Sequence, residues 1–428
     1  MSRIVQAIQR LEGYDPEALR VDKAREAIRA CLTPVAQTER VPIREALGRV
    51  LAQDVVPAIN VPNHDNSAMD GWAVRSSDLH SSRGSVLKEI GSAFAGRAFD
   101  GEVAAGQCVR IMTGAIVPRG ADTVVVQEVC NQEKAADGVR IKVPAGQKPR
   151  QNVRLAGEDL KAGVPVLKAG QPLRAAELGL VASLGIGELE VKRRLRVAFF
   201  STGDELVSIG TPLAEGQVYD SNRYTLHGML SDLGVEIIDL GVVADQPARL
   251  EAAFREGAKR ADAIITTGGV SVGEADFVRQ LMAKLGEVLF WKIAMRPGRP
   301  MAFGQIEHGK NAAFLFGLPG NPVAVMVTFH QFVRDALLAL GGRTDDFRIP
   351  LFKVPATHTI RKVPGRTEYQ RGILFQEHGH WLVRTTGQQG SGVLRSMSEA
   401  NCFIVLEHER GRVEAGEQVS VQLMQALR

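Results

Sequence analysis

The chain has 428 residues, with 52 basic and 48 acidic side chains and a formal net charge of +4. One ordinary hydrophobic core does not extend over that length, so we expect two to four domains. The near balance of charge argues against a nucleic-acid-binding protein, which concentrates its basic residues on one face.

The cysteine pattern and the N-terminal segment point to the cytoplasm. Metal-ligand spacing is absent among the four cysteines, so we expect reduced thiols at Cys31, Cys108, Cys130 and Cys402. The N-terminal segment has no apolar signal core, and no uninterrupted apolar run is long enough to cross a bilayer. We therefore expect a cytoplasmic protein without a membrane partner.

The first half of the chain predicts a helical module interrupted by a β-rich insertion. Apolar residues at helical spacing predict helices over 16–32, 44–52 and 173–185. Between them, short valine-rich segments broken by Gly, Pro and Asp predict strands. We therefore expect a helical, elongated module over 1–64 plus 153–192 and a β-rich domain over 65–152.

From residue 193 onward, apolar strands alternate with amphipathic helices. The predicted strands cover 195–200, 235–241, 262–267, 287–293 and 312–317. This alternation is typical of a doubly wound, mainly parallel α/β sheet, which we expect over 193–343. The last segment, 344–428, loses the helices and predicts a small β-barrel or sandwich, of which we favour the barrel.

Acidic and glycine-rich loops follow the predicted parallel strands, where α/β sheets bind ligands. The carboxylates in these loops are Asp204, Glu205, Asp245, Glu274 and Asp276. Carboxylates beside phosphate oxygens are suitable ligands for Mg²⁺. Each loop taken alone is more often a simple turn or helix cap. These three loops and the later LPGNP loop reach one predicted sheet edge, and together the four favour a site.

Two of these loops have the features of phosphate-binding segments. Glycines let backbone N–H groups approach a phosphate closely, and the loop after the third strand contains Gly268, Gly269, Ser271 and Gly273. The later LPGNP sequence begins a helix, whose N-terminus favours anions. It consists of Pro319 and Gly320, then Asn321 as the expected N-cap and Pro322 as the first helical residue.

Three further polar segments contain candidate ligands. The sequence WKIAMRPGRP places Lys292, Arg296 and Arg299 together, either as an oxyanion site or as a solvated basic loop. Upstream, Asp65 lies in the polar loop NHDNSAMDGWAV, and Thr113 lies in the turn IMTGA. From the residues alone, both upstream segments are slightly more typical of ordinary turns.

Eight motifs occur in a fixed order between about residue 59 and residue 397: DNSAMDGWAVR, IMTGAIVPRGADTVV, STGDEL, YDSNR, TTGGVSVGEADF, FWKIAMRPGRPMAFG, GLPGNPVAVMV and GSGVLRSM. In these motifs the sequence resembles the MoeA family of molybdopterin molybdenumtransferases, whose animal counterpart is the E domain of gephyrin. The resemblance implies a homodimer, with an α/β domain similar to the pterin-adenylylating enzyme of the same pathway. It also implies that molybdate and adenylated molybdopterin yield molybdenum cofactor and AMP, with Mg²⁺.

The resemblance also assigns roles to individual residues. It implies that the nucleotide, metal and pterin are surrounded by Asp65, Thr113, Glu205, Asp245 and Asp276. Among these, Glu205, Asp245 and Asp276 are the expected metal ligands, and Asp65 and Thr113 would come from the partner subunit. The other implied binding residues are Lys292 and Arg296 in the basic loop, Pro319 and Pro322 in the helix-start loop, and Ser391 with either Arg366 or Arg371 near molybdate.

Two other functions compete with molybdenum insertion. One is the adenylyltransferase step of the same pathway, whose enzyme shares the α/β domain and is also the expected upstream partner. The other is a non-enzymatic scaffold of the gephyrin type. The extra N-terminal and C-terminal domains argue against the first, and the lack of a receptor-binding linker argues against the second. The sequence does not distinguish molybdate from tungstate.

Overall fold

The computed structural model describes residues 13–268, 276–309 and 311–424, together with Ile4 and Ile8, with backbone alone at 276–279 and 311. The N-terminal helix α1 spans Val21–Cys31 and ends before Pro34. Its apolar stripe includes Ala24, Ile28 and Cys31, which join the large core cluster that also contains Phe303. Residues 16–20, predicted as helix, are not helical, and Leu19 forms a bridge with Ile293.

The module predicted as helical is mostly extended. Its regular elements are β1 (Thr38–Pro42), α2 (Ala175–Ser183) and β10 (Glu188–Lys192), and β1 pairs antiparallel with β10. The helix predicted over 44–52 is wrong: beyond a 3-10 turn at Ile43–Glu45, Leu51 forms a bridge with Val191. Pairing with a distant strand outweighs the helical propensity of this short apolar run.

The β-rich insertion consists of one six-stranded sheet and a short two-stranded pair. The strands are β2 (Asn66–Ser67), β3 (Gly71–Val74), β4 (Ser85–Ala93), β5 (Gln107–Ile111), β6 (Thr123–Val126), β7 (Asn131–Ala135), β8 (Gly138–Val143) and β9 (Val153–Arg154). The sheet order is β6-β3-β5-β4-β8-β7, and β2 pairs with β9. Consecutive residues face opposite sides, so Trp72 and Ala73 enter different core clusters.

The α/β domain begins with β11 (Arg196–Thr202) and has the predicted alternation. Its other elements in chain order are β12 (Leu206–Val207), β13 (Val218–Tyr219), α3 (Ser221–Asp232), β14 (Glu236–Val243), α4 (Pro247–Arg260), β15 (Ala263–Thr267), α5 (Asp276–Leu285), β16 (Gly286–Lys292), β17 (Met295–Arg296), β18 (Pro300–His308), β19 (Asn311–Leu318), α6 (Pro322–Thr328), a π-helical turn (Phe329–Val333) and α7 (Arg334–Leu340).

The central sheet is mixed, with the order β14-β11-β15-β19-β18-β16. The first four strands are parallel, whereas β18 and β16 are antiparallel to their neighbours. Helices cover both faces: Phe199 packs in the cluster with Leu226 of α3, and Phe200 packs with Phe254 of α4. The predicted doubly wound arrangement is therefore confirmed. The sequence did not predict strand β18 or the antiparallel pairing at this edge of the sheet.

One helical segment of the described chain, 322–340, is long and apolar enough to span a bilayer. Most of its apolar window, 67%, is buried inside the protein. Val323, Phe332 and Leu337 belong to the main core cluster. The segment is thus a core helix of the α/β domain.

The C-terminal region contains β20 (Leu351–Pro355), β21 (Thr367–Glu377), β22 (His380–Thr385), α8 (Arg395–Glu399), β23 (Cys402–Leu406) and β24 (Gln418–Leu423). The order is β17-β21-β23-β24-β20, with β22 also paired to β21. A parallel bridge between Ala356 and Val383 links the two ends. The barrel itself stays a prediction. Because β17 belongs to the α/β domain by sequence, its pairing with β21 joins the two regions at Arg296.

Candidate functional site

A cavity of about 740 Å³ lies at the carboxyl ends of the parallel strands. The segments that follow β11, β14, β15 and β19 all reach it, as the sheet topology requires. The C-terminal region closes the other side. The wall consists of Thr202, Gly203, Glu205, Leu206, Val218, Tyr219, Asp220, Ser221, Asn222, Asp245, Gly268, Met295, Arg296, Pro297, Gly298, Arg299, Pro300, Pro319, Gly320, Asn321, Pro322, Ala324, Arg366, Gln389 and Ser391.

Two of the three predicted metal ligands, Glu205 and Asp245, line this cavity although 40 residues separate them in sequence. The Thr202 hydroxyl donates to the Asp245 carboxylate, and the Asp245 N–H donates to Asp204 Oδ1 at 3.2 Å. Asp204 therefore orients the loop rather than lining the cavity. The third candidate, Asp276, is the first residue of α5, and its side chain lies outside the described residues.

Glycines permit the close approach of the loops that form the floor. Gly203 has a φ of +151°, and a Cβ there would lie 2.5 Å from the Glu205 carboxylate. Gly268 has a φ of +87°, and its Cβ would lie 2.2 Å from the Thr202 carbonyl oxygen. Neither position accommodates a side chain without movement. The remaining predicted loop residues, Gly269, Ser271 and Gly273, lie outside the described residues.

The LPGNP loop lines the cavity with Pro319, Gly320, Asn321 and Pro322. Pro322 is the first residue of α6, as predicted. Asn321 occupies the N-cap position, but its side chain makes no capping hydrogen bond, so the predicted cap is wrong in that respect. The amide of Asn222 fixes the loop from α3, because its Nδ2 donates to the Gly320 carbonyl at 2.7 Å.

The basic side of the cavity is formed by Arg296, Arg299 and Arg366. Arg366 is already compensated by Glu368, with its Nε 3.0 Å from Oε1. Lys292, the other predicted basic residue, does not line the cavity, and its ammonium group donates to Glu17. Ser391 does line it, and its carbonyl accepts a hydrogen bond from the Val323 N–H at 3.2 Å.

A second cavity of about 350 Å³ shares Arg296 and Gln389 with the first and is also lined by Arg371. Arg371 is 1% exposed, and no carboxylate of the described chain pairs with it. Its guanidinium donates to Ser396 Oγ at 3.1 Å and to the Gly390 carbonyl at 3.0 Å. Burial and the nearby charge of Arg296 lower the pKa of Arg371 to about 10. The result is a buried cation without an anionic partner.

Asp65 and Thr113 lie in the β-rich insertion and do not line the cavity of their own chain. Asp65 Oδ1 accepts a hydrogen bond from the Ala156 N–H at 2.8 Å. Thr113 donates both its N–H and its hydroxyl to Asp70 Oδ1 at 2.7 Å, and these bonds lower the pKa of Asp70. The structure therefore does not bring these two residues together with Glu205 and Asp245 within one chain.

The sequence did not lead us to predict Asp220 and Asn222 as site residues, although both lie in the YDSNR motif. Both line the cavity and are nearly buried, at 2% and 6% exposure. Asp220 is the N-cap of α3, where its Oδ1 accepts the Arg223 N–H at 3.1 Å. An N-cap aspartate after a short strand, with an asparagine two residues later, was the signal available in the sequence.

Known protein families match this chain along almost its whole length. Models of the MoeA N-terminal region (domain I and II), a probable molybdopterin binding domain and the MoeA C-terminal region (domain IV) match residues 19–185, 198–339 and 353–424. The chain belongs to the MoeA family. Its resemblance in the sequence motifs is thereby confirmed, and the family is that of the molybdopterin molybdenumtransferases.

Individual MoeA relatives agree with this assignment. A molybdopterin molybdenumtransferase of Haemophilus influenzae is 45% identical over 94% of this chain and 98% of its own length. A Dictyostelium discoideum gephyrin is 32% identical over 91% of this chain but only 60% of its own length. The crystal structure of the molybdopterin biosynthesis MoeA protein from Pyrococcus horikoshii OT3 has a TM-score of 0.80, with 28% identity, and covers 95% of this chain and 100% of that one.

Proposed function

We propose that this MoeA-family enzyme transfers molybdate to adenylated molybdopterin, with release of AMP and formation of molybdenum cofactor. The observation that carries this proposal is a single cavity with a carboxylate side and an arginine side. Glu205 and Asp245 occupy the former, and Arg296 and Arg299 occupy the latter. A substrate with a phosphate-rich half, reacting with an oxyanion, requires both kinds of surface.

The carboxylate side fits Mg²⁺ bound jointly by the protein and the substrate. Glu205 and Asp245 would hold the cation, and Asp276 begins α5 after the adjacent strand. Among the described residues no three His, Cys, Asp or Glu side chains form a complete metal site. Mg²⁺ is commonly held by only one or two carboxylates together with substrate phosphates and water. When bound, it would supply charge neutralisation at the pyrophosphate.

The chain's own residues provide positioning and charge. In the proposed reaction an oxygen of water or molybdate attacks phosphorus, and the pyrophosphate P–O bond breaks as AMP leaves. The two Mo–S bonds form as the dithiolene thiols give their protons to one oxide of molybdate, which leaves as water. The arginine side concentrates the molybdate dianion next to the dithiolene, and Gly268 lets the backbone approach the phosphates. Asp204 and Thr202 hold Asp245 in place through hydrogen bonds. No covalent enzyme intermediate is required.

Between the two arginines near Ser391, we assign the oxyanion role to Arg371. Glu368 already compensates Arg366, whereas Arg371 is buried without a carboxylate partner in the described chain. An uncompensated charge in a low-dielectric environment attracts an anion more strongly than a paired, half-exposed one. The shared wall residues Arg296 and Gln389 connect its cavity with the main one.

The proposal also includes a homodimer in the cytoplasm, with Asp65 and Thr113 entering the partner's cavity. Two observations support a shared site. Neither residue reaches the cavity of its own chain, and the cavity edge exposes apolar side chains, with Val218 50% and Tyr219 44% accessible. Exposed apolar groups beside a polar cavity are typical of an interaction surface. The adenylating enzyme upstream is the expected transient partner.

The deciding experiment supplies the purified chain with adenylated molybdopterin, Mg²⁺ and molybdate, and measures AMP. Molybdate-dependent AMP release is the expected result. A parallel reaction with MgATP and unmodified molybdopterin tests the adenylyltransferase alternative, which would instead form the adenylate. Tight binding of adenylated molybdopterin without AMP release would favour the scaffold alternative. Tungstate in place of molybdate measures oxyanion preference.

A further inference from the structure

The first turn of α3 presents two acceptor atoms that lack donors. Asp220 Oδ2 and Asn222 Oδ1 are almost completely buried, and no hydrogen-bond donor in the described ranges reaches either atom. Both residues line the main cavity. A buried polar atom without a partner costs free energy, so such atoms usually meet a ligand or water. Two such atoms, on two residues that line the same cavity, therefore indicate a ligand contact.

The orientation of both side chains is fixed from within the protein. Asn222 Nδ2 donates to the Gly320 carbonyl, so the amide oxygen, rather than the nitrogen, is the free atom. Asp220 Oδ1 accepts the Arg223 N–H as the helix cap, which leaves Oδ2 free. The unpartnered atom of each residue is thus an acceptor. A complementary ligand edge must carry two donors.

We propose that Asp220 and Asn222 bind the pterin ring of the substrate through its adjacent N–H and amino groups. The inference rests on the proposed function, which supplies a substrate with two heterocycles. The aminopyrimidinone edge of a pterin places an N–H beside an amino group, which gives two donors side by side. Adenine instead presents a donor amino group beside an acceptor nitrogen. The acceptor pair therefore selects the pterin end and would orient the dithiolene relative to the arginine side.

The test compares equilibrium binding of adenylated molybdopterin and of AMP, each with Mg²⁺, to the full chain. Asp220→Asn keeps the helix cap, since Asn caps as well as Asp and its remaining oxygen can still accept the Arg223 N–H. The substitution then puts an amide donor in the place of the free Oδ2. We expect it to weaken binding of adenylated molybdopterin roughly 10- to 100-fold and to leave AMP affinity within about twofold. Asn222→Ala, which removes only the second acceptor, should weaken the same binding by about tenfold.

Asp232→Asn is the matched control, because it removes the same charge from the exposed last residue of α3. It should leave both affinities unchanged. Equal affinity of wild type and Asp220→Asn for adenylated molybdopterin would overturn the inference, as would an equal loss for AMP. A shift in the Mg²⁺ concentration required for AMP binding would overturn it too, because that result identifies a cation ligand.

The failure of this inference differs from the failure of the proposed function. If wild type releases AMP with molybdate but binds no better than Asp220→Asn, only the pterin contact is wrong. If wild type releases no AMP yet binds adenylated molybdopterin more tightly than Asp220→Asn, the contact stands and the transfer activity is wrong.

Discussion

Replacement of Gly268 by alanine tests whether the cavity floor depends on close backbone approach. The new Cβ would lie 2.2 Å from the Thr202 carbonyl oxygen, more than 1 Å inside an ordinary van der Waals contact. The contacted oxygen belongs to the backbone of β11, and Gly268 directly follows β15, so a side-chain rotation does not relieve the overlap. The φ of +87° adds strain of about 1–2 kcal/mol for a residue with a Cβ.

Any movement of Thr202 that relieves this overlap acts directly on the carboxylate side of the cavity. Relief of the overlap costs about 1–3 kcal/mol more, so Gly268→Ala should lower the free energy of unfolding by about 2–5 kcal/mol. The Thr202 hydroxyl holds Asp245, so movement of Thr202 also moves that carboxylate. A misplacement near 1 Å reduces activity about 100-fold. We therefore expect AMP release to fall by about that factor in protein that remains folded.

Urea denaturation and the molybdate-dependent AMP assay measure the two effects. Gly228→Ala serves as the control, because Gly228 lies within α3 and a Cβ there would have no neighbour within 4 Å. That variant should gain about 0.5–1 kcal/mol of stability, since alanine favours helix, and retain activity. A Gly268→Ala variant as stable and active as wild type would refute the conclusion that the cavity floor requires a glycine so close to the Thr202 backbone.

Four further outcomes follow from the site and the core. Asp245→Asn should reduce AMP release at least tenfold while the free energy of unfolding changes by less than about 1 kcal/mol, checked by the same two assays. EDTA should stop AMP release and added Mg²⁺ should restore it, whereas full turnover in EDTA would remove the cation from the proposal. Arg371→Lys should weaken molybdate binding by about tenfold or more and Arg366→Lys less, because of these two arginines Arg371 lacks a carboxylate partner in the described chain. The pKa of Arg371 is lowered to about 10. Molybdate affinity measured by calorimetry should therefore stay level from about pH 7 to 9 and weaken as pH rises through about 10. Phe254→Ala should lower the free energy of unfolding, measured by urea denaturation, by about 3–5 kcal/mol, because Phe254 is 1% exposed and packs edge-on to Phe200 with ring centroids 5.2 Å apart. A smaller loss would show that the face covered by α4 repacks.

The sequence alone determined the parts that depend on local pattern. Continuous apolar runs such as 195–200 gave the parallel strands, because a strand covered on both faces is apolar throughout and its position along the chain needs no distant information. Strand–helix alternation then fixed the order in which loops reach the sheet edge, so the sequence predicts that Glu205 and Asp245 share a site. Pro322 as a first helical residue followed from its own fixed φ.

Only the tertiary structure decided the features that depend on distant partners. Segment 44–52 has helical propensity, yet Leu51 pairs with Val191, which the local pattern does not contain. Lys292 and Arg296 lie four residues apart, but Glu17 holds the first outside the cavity and pairing of β17 with β21 places the second inside. Burial of Arg371 and the free oxygens of Asp220 and Asn222 arise likewise from packing between elements. Local sequence specifies backbone preference, whereas burial and charge compensation are set by residues that become neighbours only on folding.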